Sequence, residues 1–375
     1  MKQSEKFRIE RVTTQLSQTR KTLLVGSLPY ADETDAMSRS LQAFGNSMIA
    51  LPDGEIGEKN ETYPDGVRSQ WIASILDRCE RDTAAWRVVR PSKIDPATGF
   101  ADDYATCPKL RAKYSPKEMH KHVDFGWLDF FKSSYPIFRE LREKFGLPDL
   151  KFQVGLPTGL GSTFAMLGPI GGLRYAQAFN RRLAWEANEM LKIADEGDLL
   201  FQLEVPGELK LAYVAPKFLT GYALRSVIGL VKLIEPKAPI GVHFCFGDFN
   251  NKALIENASL DRLVHFSNIL VRKWPRSHEL AYLHYPLAEA DEPPPIDPAY
   301  YEPLKHLIVP EGTRFVAGFV HEKRSPDEHL EILRILSSIR SEIVDVACSC
   351  GLGRRNAAIA DQLFAQKSQM LCIST

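Results

Sequence analysis

Eight short apolar segments rich in β-branched residues recur along the chain, and helix-like segments separate several of them. The predicted strands cover residues 22–25, 47–51, 151–155, 199–203, 239–243, 280–284, 314–320 and 343–347. Strands of nearly continuous apolar character that alternate with helices are typical of a parallel sheet buried on both faces. Eight of them in 375 residues predict an α/β fold, a single-domain (β/α)₈ TIM barrel.

The segment between the second and third predicted strands is longer than a minimal barrel needs. We therefore predict a polar N-terminal tail over residues 1–20 and a barrel over residues 21–372, with residues 60–145 as a large insertion after the second strand. If this insertion follows the C-terminal end of its strand, it would cover the mouth of the barrel as a lid. The alternative is that its helices pack against the outside of the barrel.

The charge and cysteine content limit the class of protein. Lys and Arg number 47, as do Asp and Glu, so the net charge of zero gives no electrostatic footprint for nucleic acid or for an anionic membrane. No apolar run reaches the length of a membrane span, and the N-terminus lacks the apolar core of a secretory signal. Six cysteines are too few for a disulfide scaffold. We expect a cytoplasmic enzyme with reduced thiols and small-molecule partners, as a monomer or a homo-oligomer.

Polar residues follow nearly every predicted strand, where the active sites of TIM barrels lie. His243 and Cys245 end the fifth strand, and residues two apart on an extended backbone point to the same face. An imidazole beside a thiolate suits Zn²⁺. Cys350, on the turn after the last strand, is the natural third ligand, and His284, at the end of the sixth strand, is the natural fourth.

Other interpretations of these residues stay open at this point. Cys348 competes with Cys350 for the third position, although Gly351 favours Cys350 because a glycine lets the turn bring the thiol inward. The alternative to a metal site is a buried histidine that is satisfied by a backbone carbonyl next to an apolar cysteine.

Glu55 and Glu204 form a second candidate site, since each ends a strand that is predicted to be buried. A buried ionised carboxylate needs a partner. The ammonium group of a substrate would serve, and so would an internal salt bridge to an arginine such as Arg354. Asp53 fits a turn or the N-cap of a helix.

Taken in order over roughly residues 20–370, the strand ends resemble the C-terminal catalytic barrel of cobalamin-independent methionine synthase. That family belongs to a superfamily with uroporphyrinogen decarboxylase and the thiol alkyltransferases. The similar segments are residues 25–29 (VGSLP), 53–55 (DGE), 157–159 (PTG), 202–206 (QLEVP), 243–245 (HFC), 320–326 (VHEKRSP) and 349–355 (SCGLGRR).

The resemblance implies a zinc-dependent S-methyltransferase of methionine-biosynthesis type. It would transfer a methyl or alkyl group from a donor to a small thiol such as homocysteine, with zinc activating the acceptor thiolate. By the same resemblance, His243, Cys245 and Cys350 are the catalytic zinc ligands. The acceptor-binding residues that it implies are Ser27, Asp53, Glu55 and Glu204.

The chain also departs from the family. The fourth zinc ligand of the family is a glutamate, whereas His284 stands at that position here. The chain is too short to include the additional N-terminal barrel of the full-length enzymes. The folate-contacting tryptophan has no clear match, which argues against a methyl-folate donor. The alternatives are a metal-free lyase or decarboxylase of the uroporphyrinogen decarboxylase type, a metal-dependent hydrolase and a non-catalytic binding barrel.

Overall fold

The computed structural model describes residues 19–101, 103–249, 251–256 and 259–373. The predicted polar tail lies outside these ranges except for its last two residues. Arg20 is buried, and its guanidinium donates hydrogen bonds to the backbone carbonyls of Val344 and Met370. None of the helices in these ranges combines the length and the apolar character that a bilayer crossing requires.

Eight parallel strands form one sheet, and each corresponds to one of the eight predicted strands. Together with the two strands of a separate hairpin, β3 and β4, the strands are β1 Thr22–Leu23, β2 Leu51–Pro52, β3 Trp86–Arg90, β4 Lys109–Ala112, β5 Phe152–Pro157, β6 Leu199–Glu204, β7 Ile240–His243, β8 Leu280–Pro286, β9 Arg314–Val320 and β10 Val344–Cys348. The order in the sheet is β1-β10-β9-β8-β7-β6-β5-β2, while β3 and β4 pair antiparallel with each other. The predicted parallel α/β fold is thus confirmed.

The two ends of the large sheet meet. Thr22 of β1 forms a parallel bridge with Met48, and the N–H of Ile49 donates to the carbonyl of Thr22 over 3.0 Å. Inside the curled sheet, a small apolar cluster draws its members from five strands and from the residue before β2. The cluster consists of Leu23, Ala50, Leu200, Tyr282, Val316 and Ala347. Side chains from many strands that converge on one axis are typical of TIM-like barrels.

Helices follow most of the strands and cover the sheet. They are α1 Glu33–Phe44, α2 Trp71–Arg81, α3 Trp127–Lys144, α4 Gly159–Ile193, α5 Pro206–Val214, α6 Thr220–Val231, α7 Leu260–Lys273, α8 Pro298–Tyr301, α9 Pro326–Ile339 and α10 Ala357–Leu371. Local sequence explains several boundaries. A capping box between Ser325 and Glu328, with Pro326 at the first helical position, begins α9. Helix α4 is broken where Gly168 adopts a left-handed φ of 68° before Pro169.

The segment between β2 and β5 contains α2, the β3–β4 hairpin and α3. Helix α3 ends at Lys144, one residue before the predicted end of the insertion. Trp71, Tyr104 and Lys109 of this segment contribute to the wall of the main cavity. This position fits the mouth of the barrel better than its outer surface. That the segment is an insertion, and that it closes as a lid, stay predictions.

Candidate functional site

Three of the predicted site residues lie side by side at one end of the sheet. Glu204 at the end of β6 is in register with His243 at the end of β7, and His243 is in register with His284 of β8. Residues at the same level of neighbouring parallel strands project to the same face of the sheet. All three side chains are buried. The register of the sheet, rather than any local motif, therefore makes them neighbours.

His243, Cys245 and Cys350 form a cluster of potential metal ligands. One ligand atom from each lies within 4.8 Å of the others, and the Sγ atoms of Cys245 and Cys350 are 3.8 Å apart. Nε2 of His243 is buried and has no hydrogen-bond partner among the described residues. Cys348, the alternative third ligand, is not part of this cluster.

His284 lies beside the cluster and is not a member of it. Its Nδ1 is 2.6 Å from Nδ1 of His243, and its Nε2 is 3.0 Å from the backbone carbonyl oxygen of Cys348. Both ring nitrogens of His284 are therefore engaged by the protein. The predicted role as fourth ligand would require one of these two contacts to break, and the arrangement does not favour it.

Two glycines bring the thiols into position. Gly247 has a φ of 87°, a conformation that suits glycine, and its N–H donates to Sγ of Cys245 over 3.3 Å. Gly351 has no left-handed φ. Instead, a Cβ atom at Gly351 would lie 2.3 Å from Oγ of Ser27. Gly351 therefore serves the turn beside Cys350 by permitting a close approach of Ser27, and not by an unusual backbone conformation.

Burial sets the protonation of the cluster. It lowers the pKa of His243 well below the usual range, and the neighbouring His284 lowers it further. Burial also lowers the pKa of His284 to about 3. The hydrogen bond with the Cys245 thiol and burial both raise the pKa of Cys350. Both imidazoles are thus neutral at pH 7, and two adjacent thiolates would need a cation to form.

Glu55 and Glu204 form a pair of buried carboxyl groups. A Cβ atom added to Gly155 would lie 3.0 Å from Oε1 of each, so both approach the same glycine of β5. Nε2 of Gln202 donates to Oε1 of Glu204 over 3.2 Å. Burial raises the pKa of Glu55 to about 7 and that of Glu204 well above its usual range, where the nearby Glu55 adds to the effect. No arginine or lysine lies within ion-pair distance of either carboxylate in the described ranges.

The backbone of Glu55 is in the left-handed region, with a φ of 54°. This conformation is costly for a residue with a side chain and is common at functional sites. Asp53 stabilises the turn, because its Oδ1 accepts from the N–H of Glu55 over 3.0 Å and its Oδ2 accepts from Nη1 of Arg68 over 2.6 Å. Asp53 is absent from the wall of the main cavity. Its carboxylate is paired with Arg68, which fits the turn role that was one interpretation of the sequence, while its contact with a substrate stays a prediction.

The main cavity has a volume of about 330 Å³ and lies beside both groups. Five of the predicted residues reach its wall, namely Ser27, Glu55, Glu204, Cys245 and Cys350. Among the wall residues to which the sequence assigned no role at the site are Trp71, Tyr104, Lys109, Lys210 and Asp248. Arg354, which the sequence analysis named as a possible salt-bridge partner, also reaches the wall. The rest of the wall is mostly apolar and includes Phe164, Leu211, Val214, Phe249 and Leu254.

Arg354 is a mostly buried cation on this wall, and the described residues place no acceptor at hydrogen-bond distance from its side chain. Its Nη1 is 3.8 Å from Oδ2 of Asp248, which is beyond hydrogen-bond distance, and its Nε has no partner in the described ranges. The carboxylate oxygens of Asp248 are also buried without a hydrogen bond there. Arg354 does not form the internal salt bridge to Glu55 or Glu204 that was one interpretation of the sequence. The neighbouring Arg355, by contrast, pairs with Glu322 at 2.8 Å.

Comparison with known proteins supports the α/β barrel-like fold and reaches no further than the fold. No protein-family model matches the chain, and no curated protein sequence matches it. Among solved structures, the chain is similar to a B12-independent methionine synthase from Shewanella sp. W3-18-1 in complex with selenomethionine. The TM-score is 0.57 at 12% sequence identity, and the match covers 94% of this chain and 98% of that chain. At 12% identity, this similarity shows a shared fold and nothing more.

Proposed function

We propose that this protein is a zinc-dependent transferase that moves a methyl or alkyl group to a small thiol. The observation that carries the proposal is the cluster of His243, Cys245 and Cys350, whose two thiols reach the wall of a cavity that is also lined by two buried carboxyl groups. The order of motifs along the chain and the fold shared with a methionine synthase support the same reaction class.

The donor atoms fit zinc. Two sulfurs that each lie about 2.3 Å from a tetrahedral zinc ion are about 3.8 Å apart. The Sγ atoms of Cys245 and Cys350 have this separation. The buried Nε2 of His243 has no hydrogen-bond partner among the residues that the structure describes, and a neutral imidazole is the form that a metal requires. Three protein ligands would leave one position for the substrate, as in catalytic zinc sites.

Bound zinc would supply a Lewis acid that lowers the pKa of an acceptor thiol, so that a thiolate nucleophile exists at neutral pH. The protein's own residues would bind and orient the acceptor. Among the described residues, Glu55 and Glu204 have no cationic partner within ion-pair distance, which suits an ammonium group. The guanidinium of Arg354 has no anionic partner at hydrogen-bond distance in the same part of the chain, which suits a carboxylate. Together these groups fit an amino-acid thiol such as homocysteine.

The apolar part of the cavity would hold the group that is transferred. Phe164 and Leu211 on the wall would limit the access of water to the path between the donor and the thiolate. Exclusion of water would leave the thiolate less solvated and more reactive. A confined donor would also be held in line with the thiolate. The lysines on the wall, Lys109 and Lys210, donate to the backbone carbonyls of Ala165 and Leu254. They are therefore already engaged, which is consistent with a donor that is less anionic than a folate.

The alternative of a metal-free decarboxylase receives less support. A substrate with several carboxylates needs several arginines in the pocket, and Arg354 is the one arginine on the cavity wall within the described residues. Arg355 is bound by Glu322.

The proposal is tested by the metal content of the purified protein. We expect about one zinc per chain by elemental analysis and a zinc X-ray absorption spectrum with sulfur and nitrogen ligands. Incubation with a panel of small thiols should add one sulfur to the zinc shell for the true acceptor. The thioether of the same molecule is the matched control and should add none. Absence of zinc, even after reconstitution under reducing conditions, would contradict the proposal.

A further inference from the structure

We propose that His284 is a positioning residue that fixes the tautomer of His243, so that the lone pair of Nε2 of His243 faces the two thiols. The inference rests on the metal site of the proposed function and adds a residue to it. His284 would thus support the site from outside the ligand shell, although the sequence placed it among the ligands.

The hydrogen-bond chain begins at a backbone carbonyl. The oxygen of Cys348 can only accept, so Nε2 of His284 carries a hydrogen and donates to it over 3.0 Å. A neutral His284 then has its lone pair on Nδ1. No carboxylate lies within ion-pair distance of either imidazole among the described residues, so nothing there stabilises an imidazolium.

The second link lies between the two imidazoles. The Nδ1 atoms of His243 and His284 are 2.6 Å apart, and only one hydrogen fits between them. Because Nδ1 of His284 is the acceptor, this hydrogen belongs to Nδ1 of His243. Nε2 of His243 is then unprotonated, which explains how a buried nitrogen can lack a hydrogen-bond partner within the described chain. Metal-binding histidines are commonly fixed in this way by an acceptor on the other ring nitrogen.

Gly318 of β9 leaves space for the ring of His284 in this orientation, because it has no side chain. A Cβ atom at Gly318 would lie 2.6 Å from Nε2 of His284 and 3.0 Å from the carbonyl oxygen of Cys348. Only a glycine leaves room for the hydrogen bond between these two atoms. The ring of His284 is therefore held on one side by Gly318 and Cys348 and on the other by His243.

A matched pair of variants separates the two hydrogen bonds. In His284→Asn the amide oxygen can still accept from Nδ1 of His243, while the donor to Cys348 is lost. In His284→Gln the terminal amide can still donate to Cys348, while the acceptor for His243 is lost. We expect His284→Asn to bind zinc nearly as well as wild type, and His284→Gln to bind it 10- to 100-fold more weakly. Thermal unfolding of both variants establishes that each is folded.

The tautomers themselves are measured without metal. Two-bond ¹H–¹⁵N correlation spectra of the metal-free, ¹⁵N-histidine-labelled protein should show hydrogen on Nδ1 of His243 and on Nε2 of His284. His243→Asn and His284→Asn assign the signals. In His284→Gln, His243 should shift toward a mixture of tautomers.

The results that would overturn the role of His284 differ from those that would overturn the proposed function. Hydrogen on Nε2 of His243, or a wild-type zinc site with two imidazole ligands by X-ray absorption, would overturn the role of His284. If the protein binds no zinc, the proposed function fails, and the tautomers of the metal-free protein still decide whether His284 positions His243.

Discussion

The Sγ atoms of Cys245 and Cys350 lie 3.8 Å apart although 105 residues separate them along the chain. Cys245 follows β7 and Cys350 follows β10, so the curvature of the sheet brings the two thiols together. The hydrogen bond with Cys245 and burial raise the pKa of Cys350, so the Cys350 thiol resists ionisation unless a cation is present. The same separation allows both sulfurs to bind one divalent metal ion.

Replacement of one of these thiols should release the metal. Structural zinc sites with four ligands bind with roughly 10–16 kcal/mol, so one ligand is worth about 3 kcal/mol, or about a hundredfold in affinity. We expect Cys245→Ser to lower zinc affinity by at least this factor in a competition titration with a chelator. Cys348→Ser is the matched control, because Cys348 is a buried thiol outside the cluster. Full zinc stoichiometry in Cys245→Ser would remove Cys245 from the site.

Neutralising one buried carboxylate should affect only substrates that carry an amine. A hydrogen bond to a charged group is worth about 1.5–3 kcal/mol, so Glu204→Gln should raise KM for an amino-thiol roughly 10- to 100-fold. The KM for the same thiol without the amine should stay within about twofold. Glu208→Gln is the control, since Glu208 is equally buried but absent from the cavity wall. An equal rise in KM for both thiols would mean that Glu204 does not bind the ammonium.

The fold was predictable from sequence because each strand of a doubly covered parallel sheet is a nearly continuous apolar run. The residues at which each strand begins and ends were less predictable. Residues 47–51 were predicted as a strand, whereas β2 is Leu51–Pro52, because Met48 meets β1 only in a single bridge. The proximity of His243 and Cys245 was also predictable, since it depends on a spacing of two residues at the end of one strand.

The remaining parts of the site depend on relationships between distant segments. The contact of His243 with His284 follows from the register of β7 against β8, which neither strand encodes alone. Tyr104 reaches the cavity from the segment between β2 and β5, and no local spacing indicates this. Arg354 was considered as a salt-bridge partner of the buried carboxylates. Its place on the cavity wall could not be predicted locally, because packing sets where a long side chain ends. These are the features for which a structure was needed.

Stability should depend on pH through Glu208. Burial raises its pKa to about 7 from 4.5, although the hydroxyls of Thr158 and Ser226 oppose part of this. Between these values the folded protein binds more protons than the unfolded chain, so the free energy of unfolding falls as pH rises from about 4.5 to 7. A shift of this size corresponds to roughly 3 kcal/mol.

Urea unfolding of the metal-free protein at pH 5 and pH 7.5 checks this dependence. Glu208→Gln cannot ionise, so it should lose less stability over this range than wild type, by up to roughly 3 kcal/mol. Glu311→Gln, which removes an exposed carboxylate, should follow wild type. The same loss of stability in Glu208→Gln as in wild type would show that Glu208 does not titrate in this range.

Arg354 should select thiols that carry a carboxylate. Its guanidinium is buried on the cavity wall, and its nearest acidic partner, Asp248, is 3.8 Å away and makes no hydrogen bond with it. A bidentate bond to a substrate carboxylate would satisfy it. We expect Arg354→Gln to raise KM roughly 10- to 100-fold for an amino-acid thiol, and to change KM little for the methyl ester of the same thiol. Arg354→Lys should recover only part of the loss, because an ammonium cannot form the planar pair of bonds. If the acid and the ester respond equally while zinc content is unchanged, Arg354 acts on the thiol sulfurs and not on the carboxylate.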